Sequence, residues 1–168
     1  VHLLRTDDVT RILYDISYTM VQDVKATRMT LFQYATEKYQ ANYYRQFAYG
    51  NDEGVIDNGS TPKGDNLYFD SATEQKIEVN GNNPWFMLYD FDSSLREETN
   101  GVSFTVREYE ATLNGKKYTS PSFNKRKISE GQMAFELTTP KTAGSEYKKG
   151  SRINMVVEMT VLPQTTAT

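Results

Sequence analysis

The chain has 168 residues, of which 38% are hydrophobic, 12% aromatic and 24% charged. A chain of this length and aromatic content can bury a core, which excludes an intrinsically disordered protein. The formal net charge of −3 lacks the basic excess that nucleic-acid-binding proteins show, and no apolar run is long enough for a membrane-spanning helix. We therefore expect a single folded domain without a membrane span, and nucleic acid is not an expected partner.

The side chains that nucleophilic and metal-dependent enzymes use are almost missing from the sequence. There is no cysteine, and the one histidine, His2, lies beside the first residue. These absences argue against cysteine–histidine and serine–histidine catalysis and against histidine-based zinc, iron or copper sites. Glycine-rich phosphate-binding patterns are absent too. The sequence therefore predicts a protein that is not an enzyme and needs no cofactor.

The first 49 residues contain neither glycine nor proline, the residues that most often interrupt secondary structure. Thr6 followed by Asp7 and Asp8 is typical of a helix N-terminus, and Gly50 is typical of a helix end. We predict a helical arm over residues 1–49, formed by one long helix or by a helical hairpin. The apolar positions that follow a helical spacing are Val9, Ile12, Leu13, Ile16, Met20, Val24, Leu31 and Ala35.

After this arm the sequence changes first to a loop composition and then to an alternating pattern. Residues 50–66 are rich in glycine, asparagine and aspartate, which predicts a loop. Residues 67–162 contain runs in which apolar and polar side chains alternate, which predicts an antiparallel β body, and residues 163–168 are expected to form a flexible tail. The predicted strands lie near 67–70, 75–79, 85–91, 102–109, 111–119, 132–138 and 152–162.

A hairpin signal supports the antiparallel arrangement. Asn114 and Gly115 stand between two strand-like runs and suit a two-residue turn, because both positions tolerate positive φ. Short turns of this kind join antiparallel neighbours. The predicted fold class is therefore α+β, with the long N-terminal helical segment packed on an antiparallel β-sheet or β-sandwich of about six or seven strands.

The predicted arm is rich in tyrosine, which suits subunit contacts because the ring buries apolar area and the hydroxyl stays polar. We therefore predict a non-catalytic structural or assembly subunit of a larger complex, such as a virion, a filament or a secretion machine. Its partners would be other protein subunits, among them copies of itself. Its location would be extracellular or within an assembled particle, with the cytoplasm as the alternative. The predicted contact residues are Tyr14, Tyr18, Tyr34, Tyr39, Tyr43, Tyr44 and Phe47.

Two alternative functions remain open. In the first, the chain is a monomeric module that binds a sugar, a peptide or a small molecule through the aromatic side chains of Trp85, Tyr89 and Tyr109. In the second, Asp90 and Asp92 lie on one face of a strand and act as the carboxylate pair of a hydrolase.

The same acidic stretch also offers a candidate calcium site. Asp90 and Asp92, together with Glu97 or Glu98, supply the carboxylate oxygens that calcium binds. The spacing departs from that of the EF-hand loop, because Leu95 stands where the loop needs glycine. We therefore expect at most a looser calcium site at these four residues.

Overall fold

The structure, a computed structural model, consists mainly of β-strands. It describes residues 1–6, 9–27, 29–35, 44, 46–60, 75–90, 99–129 and 132–165. The one helical element in these ranges is a single 3₁₀ turn, Lys141–Ala143. The strands are β1 (His2–Thr6), β2 (Val9–Thr19), β3 (Val24–Lys25), β4 (Thr30–Ala35), β5 (Gln46–Asn51), β6 (Gly54–Ser60), β7 (Gln75–Ile77), β8 (Trp85–Asp90), β9 (Thr99–Leu113), β10 (Lys116–Tyr118), β11 (Ser122–Ser129), β12 (Gln132–Thr138), β13 (Glu146–Tyr147) and β14 (Arg152–Thr165).

The strands form two stacked sheets of unequal width, and the described strand pairs are antiparallel. The larger sheet has eight strands in the order β1-β2-β14-β9-β8-β5-β6, with β10 paired to β9. The smaller sheet has the order β4-β12-β11-β7, and β3 pairs separately with β13. Rings from β4, β11 and β12 pack on rings from β2, β5, β8 and β9, so the two inner faces enclose the core.

The predicted helical arm is wrong, because its described residues form β1 to β4 and most of β5, and the fold is an antiparallel β-sandwich instead of α+β. Side chains four residues apart share a face in a strand as well as in a helix, so the spacing of Ile12 and Ile16 fits both structures. Tyr14 and Tyr18 distinguish them, because each lies two residues from Ile16, and two-residue spacing keeps side chains on the same face only in a strand. The abundance of β-branched and aromatic residues on β2 favours the strand.

Two further predicted boundaries are also corrected. Residues 50–60 of the predicted loop end β5 and continue through a turn into β6, so Gly50 lies inside a strand and not at a helix end. The predicted tail extends the last strand, since β14 runs to Thr165, and residues 166–168 lie outside the described part. The strand predicted near 67–70 also lies outside it.

Most strands of the predicted β body are confirmed. β7, β8, β12 and β14 lie where they were predicted. The strands predicted at 102–109 and 111–119 are divided differently, because β9 runs without a break to Leu113 and β10 begins only after the turn, at Lys116. The hairpin between β9 and β10 is confirmed, with φ of 53° at Asn114 and 80° at Gly115. The sequence does not predict β11, because its adjacent charged residues Lys125 and Arg126 hide the alternation.

Phe86 on β8 lies at the centre of the core between the sheets. It is fully buried, and its ring centroid lies 4.8 Å from that of Phe104 in its own sheet. The centroids of Phe123 and Phe135 in the smaller sheet lie 4.9 Å and 5.2 Å away. These separations are favourable for aromatic pairs, and each buried ring contributes about 2–3 kcal/mol to the free energy of unfolding.

A lysine joins the two sheets on the side of the core formed by β5 and β6. The Nζ atom of Lys125 on β11 lies 4.8 Å from the ring centroid of Phe47 and 5.7 Å from that of Tyr49, both on β5. The same atom lies 3.4 Å from Oδ2 of Asp57 on β6. Only 13% of the lysine side chain is exposed, so these interactions are partly shielded from water. The contact fixes the smaller sheet over β5 and β6.

Alkaline pH should lower the free energy of unfolding through ionisation of Tyr49. Burial, and then the charge of Asp57 and the hydrogen bond to it, raise the pKa of Tyr49 from 10.0 to about 12. The unfolded chain loses the phenolic proton near pH 10 whereas the folded chain keeps it. The stability linked to this proton is therefore complete below about pH 10 and is lost between about pH 10 and 12.

The test compares the parent protein with Tyr49→Phe by urea unfolding across this pH range. We expect the variant to lose less unfolding free energy between about pH 10 and 12, and to match the pH dependence of the parent between about pH 7 and 9. An equal alkaline loss in both proteins would contradict the assignment to Tyr49.

Candidate functional site

The predicted contact residues that the structure describes pack inside the sandwich. The ring centroid of Tyr14 on β2 lies 5.7 Å from that of Phe32, and the hydroxyl of Tyr18 donates to the carbonyl oxygen of Leu31 at 2.9 Å. Phe47 is buried in the core. These three side chains therefore hold the two sheets together.

Tyr34 and Tyr44 also pack against the core. The ring of Tyr34 meets Phe104 edge-on at 6.1 Å, and burial raises the pKa of its hydroxyl well above the usual value. Tyr39 and Tyr43 lie outside the described residues. The described tyrosines therefore serve packing between the sheets, and the contact role of Tyr39 and Tyr43 stays a prediction.

An apolar row crosses the inner face of the larger sheet and becomes exposed at its edge. The strand register pairs Phe104 with Met159, Met159 with Ile12, and Ile12 with Leu3, on β9, β14, β2 and β1. Phe104 is fully buried, Met159 and Ile12 are half-buried, and Leu3 is 68% exposed. Because paired residues share a face of the sheet, the whole row belongs to the core side.

The smaller sheet ends above this row at β4. Phe32 of β4 packs on rings of β2 and β9, at centroid distances of 5.7 Å and 5.2 Å. Because Leu3 is 68% exposed, the described residues leave this position of β1 largely uncovered. Val161, two residues beyond Met159 on β14, is 36% exposed. We define the open corner as the surface beside β4 that is formed by Leu3, Ile12, Met159 and Val161.

Two strand edges border the open corner. Among the described strands, β1 is outermost in the larger sheet and β4 in the smaller one. Edge strands leave backbone groups free to pair with a further strand, and bulges often prevent such pairing. The other edge of the larger sheet, β6, has a register shift between Val55 and Asp57, whereas the pairs between β1 and β2 run without a shift.

Among the described strands none pairs with the outer edge of β4, and a further strand placed there would cover the exposed part of the row. Neighbouring strands lie about 4.8 Å apart and stacked sheets about 10 Å apart, so a fifth strand of the smaller sheet would lie over β1 and β2. Its alternate side chains would contact Leu3 and Ile12. The open corner therefore offers a surface on which a further β-strand could pack.

The residues predicted for ligand binding separate onto two faces. Trp85 and Tyr89 are half-buried on the outer face of the larger sheet, since Phe86 between them faces the core. Tyr109 packs against the core opposite a buried methionine of β14, and burial raises the pKa of its hydroxyl. The three residues therefore do not form one site.

The acidic residues predicted for hydrolysis or calcium binding lie mostly outside the described residues. Asp90 ends β8, and Asp92, Glu97 and Glu98 are among the residues that are not described. Within the described ranges, no three acidic or histidine side chains come together as metal ligands would. In those same ranges, no helix is long and apolar enough to cross a membrane.

The smaller sheet also carries a buried ion pair that the sequence does not predict. Glu136 of β12 is 1% exposed, and its Oε1 lies 2.7 Å from Nε of Arg126 on β11. Glu136 alternates with the core residues Phe135 and Leu137, so the pattern places it on the polar face and gives no sign of burial. Since a buried carboxylate is costly unless it is paired, Arg126 supports the pairing of β11 with β12.

Comparisons of the chain with protein-family models, with curated proteins and with solved structures find no match. The geometry of this chain alone therefore has to support a function. Its clearest candidate site is the open corner, where the core face of a sheet is exposed beside a strand edge.

Removing the cation of the buried ion pair should destabilise the fold. We expect Arg126→Met to cost about 3 kcal/mol of unfolding free energy, the lower end of the usual range because the arginine side chain is 32% exposed. The double variant Arg126→Met/Glu136→Leu should recover most of this loss, since it also removes the buried charge. Urea unfolding measures both changes.

The matched control is Lys25→Met, which breaks the exposed ion pair with Glu146, whose two side chains are 77% and 66% exposed. This control should cost less than about 1 kcal/mol. A loss from Arg126→Met no larger than that of the control would show that the buried pair has no structural role.

Proposed function

We propose that the chain is a non-catalytic structural subunit that assembles with copies of itself by receiving a β-strand in the open corner. The observation that carries this proposal is the 68% exposure of Leu3, which ends an apolar row that begins at the fully buried Phe104. An exposed apolar surface that continues a core is typical of a surface that another chain covers. Backbone hydrogen bonds to β4 would provide affinity, and the apolar row would select alternating apolar side chains.

The energies are sufficient for association that depends on concentration. Covering a leucine or valine side chain contributes about 1.5–3 kcal/mol, and each new backbone hydrogen bond contributes about 0.5–1.5 kcal/mol. Loss of translational and rotational freedom opposes these gains by at least about 4 kcal/mol. Leu3 and Val161 are 68% and 36% exposed, so covering them contributes only part of this gain, and backbone hydrogen bonds along the six-residue strand β4 supply the rest. The sum is comparable to the cost, which favours weak association.

We propose a copy of the chain as the partner because the chain itself carries a strand edge beside the open corner, that of β1. β1 lies beside the corner with a regular, unshifted pairing to β2 and an exposed leucine. Two copies related by a twofold axis can therefore bring the same surfaces together, as isologous contacts do.

The test is sedimentation velocity of the purified chain over a concentration series. We expect reversible association of the parent protein, weakened at least about tenfold in Leu3→Lys because an ammonium group replaces an apolar side chain that the partner covers. The matched control is Val21→Lys, which places the same charge at a valine that is 78% exposed and lies outside the open corner. This control should associate like the parent.

Two results would contradict the proposal. One is a parent protein that remains a 19.3 kDa monomer at every concentration, which would favour the monomeric ligand-binding module instead. The other is equal weakening of association by Leu3→Lys and Val21→Lys, which would show a general effect of charge.

A further inference from the structure

A flat aromatic stripe runs along β8 on the outer face of the larger sheet. Trp85, Met87 and Tyr89 alternate with buried core residues, so all three face away from the core. A Cβ atom on Gly50 of β5 would lie 2.8 Å from the Trp85 ring, and one on Gly101 of β9 would lie 2.8 Å from the Met87 methyl group. The two glycines therefore let these side chains lie across neighbouring strands, which makes the stripe flat.

Hydrogen bonds fix the orientation of the tryptophan ring. Nε1 of Trp85 donates to the carbonyl oxygen of Asn51 at 2.9 Å. The side chain of Asn51 accepts from the backbone N–H of Glu53 at 2.8 Å and donates to the carbonyl oxygen of Asn80. The ring is thus held in place without a ligand, which lowers the entropic cost of binding one.

The surface around the stripe is neutral and carries hydroxyl and amide groups. No charged group is present among the outer-face side chains described on β5, β6 and β8, or on β9 as far as Thr105. On the neighbouring strand β14, Glu158 lies opposite Thr105 on this face, and its carboxylate is paired with Arg107 at 2.8 Å. Nucleic acids need cations on the protein, so the stripe suits an uncharged ligand. The neighbouring outer-face residues are Ala48, Val55, Asn58, Ser103 and Thr105.

We propose that this stripe binds a neutral oligosaccharide. The apolar face of a sugar ring stacks on a flat aromatic ring, and the sugar hydroxyls can bond to the serine, threonine and asparagine side chains beside it. Trp85 and Tyr89 are four residues apart on one strand, which separates them by about 13 Å. A single sugar cannot contact both rings, whereas a chain of several sugars can. The stripe is on the face opposite the open corner, so this inference does not depend on the proposed assembly.

Fluorescence gives a direct test, because Trp85 is the only tryptophan in the chain. The probes are glucose, N-acetylglucosamine, cellobiose and the uncharged hexasaccharides cellohexaose, maltohexaose and chitohexaose. We expect at least one hexasaccharide to cause a saturable change in emission and to protect Trp85 from acrylamide quenching. Its affinity should exceed that of its monosaccharide at least about tenfold. Calorimetry should give the same dissociation constant.

Variants assign the binding to the stripe. Tyr89→Ala keeps the fluorescent reporter and should weaken binding at least about tenfold. The control Tyr118→Ala, at a half-buried ring on β10, should bind like the parent. Leu3→Lys should bind the sugar normally, because its change lies at the open corner, and this keeps failure of the assembly proposal distinguishable from failure of this one.

Three results would overturn the inference. The first is that none of the hexasaccharides binds in either assay, and the second is that Tyr89→Ala binds as tightly as the parent. The third is that Trp85 becomes protected from acrylamide as protein concentration rises without sugar, which would show that the outer face is a contact between copies of the chain.

Discussion

The contact of Phe86 with Phe123 and Phe135 is the interaction on which the rest of the structure depends. These rings, 4.9 Å and 5.2 Å from Phe86, place the smaller sheet over β8, near the β6 side of the larger sheet. Lys125 fixes the same sheet over β5 and β6. Four strands then extend only as far as β4 on the other side, so β1 is left beyond the covered core and Leu3 is exposed there.

The sequence predicts one half of this fold much better than the other, for a physical reason. In the C-terminal half the alternation is unambiguous, as on β14, where Ile153, Met155 and Val157 are buried between exposed or half-buried neighbours. In the N-terminal half, the spacing of Ile12 and Ile16 fits a helix and a strand equally. The absence of glycine and proline there is compatible with a helix and with strands, whereas the β-branched and aromatic content of β2 favours the strand.

The candidate sites depend on contacts that no local pattern contains. The open corner exists because one sheet is wider than the other, which is a property of strand pairing over long sequence distances. The placement of Tyr109 depends on a shift in the register between β9 and β14, which skips Arg107. Strict alternation from Val106 would place Tyr109 on the outer face, and the shift moves it to the core. Trp85 and Tyr89 lie on β8, which pairs with β9 without a register shift. Simple alternation along β8 therefore places both on the outer face.

The structure thus separates two surfaces of different chemistry, an apolar corner beside free strand edges and a neutral aromatic stripe on the opposite face. The central claim is that the corner receives a β-strand, and hydrogen–deuterium exchange tests it most directly. The measurement compares amide exchange along Thr30–Ala35 in the concentrated parent protein and in Leu3→Lys at the same concentration. We expect alternate amides of this strand to exchange more slowly in the parent, because a fifth strand would bond to every second residue. Equal exchange along this strand in both proteins, with the parent fully associated, would contradict the claim.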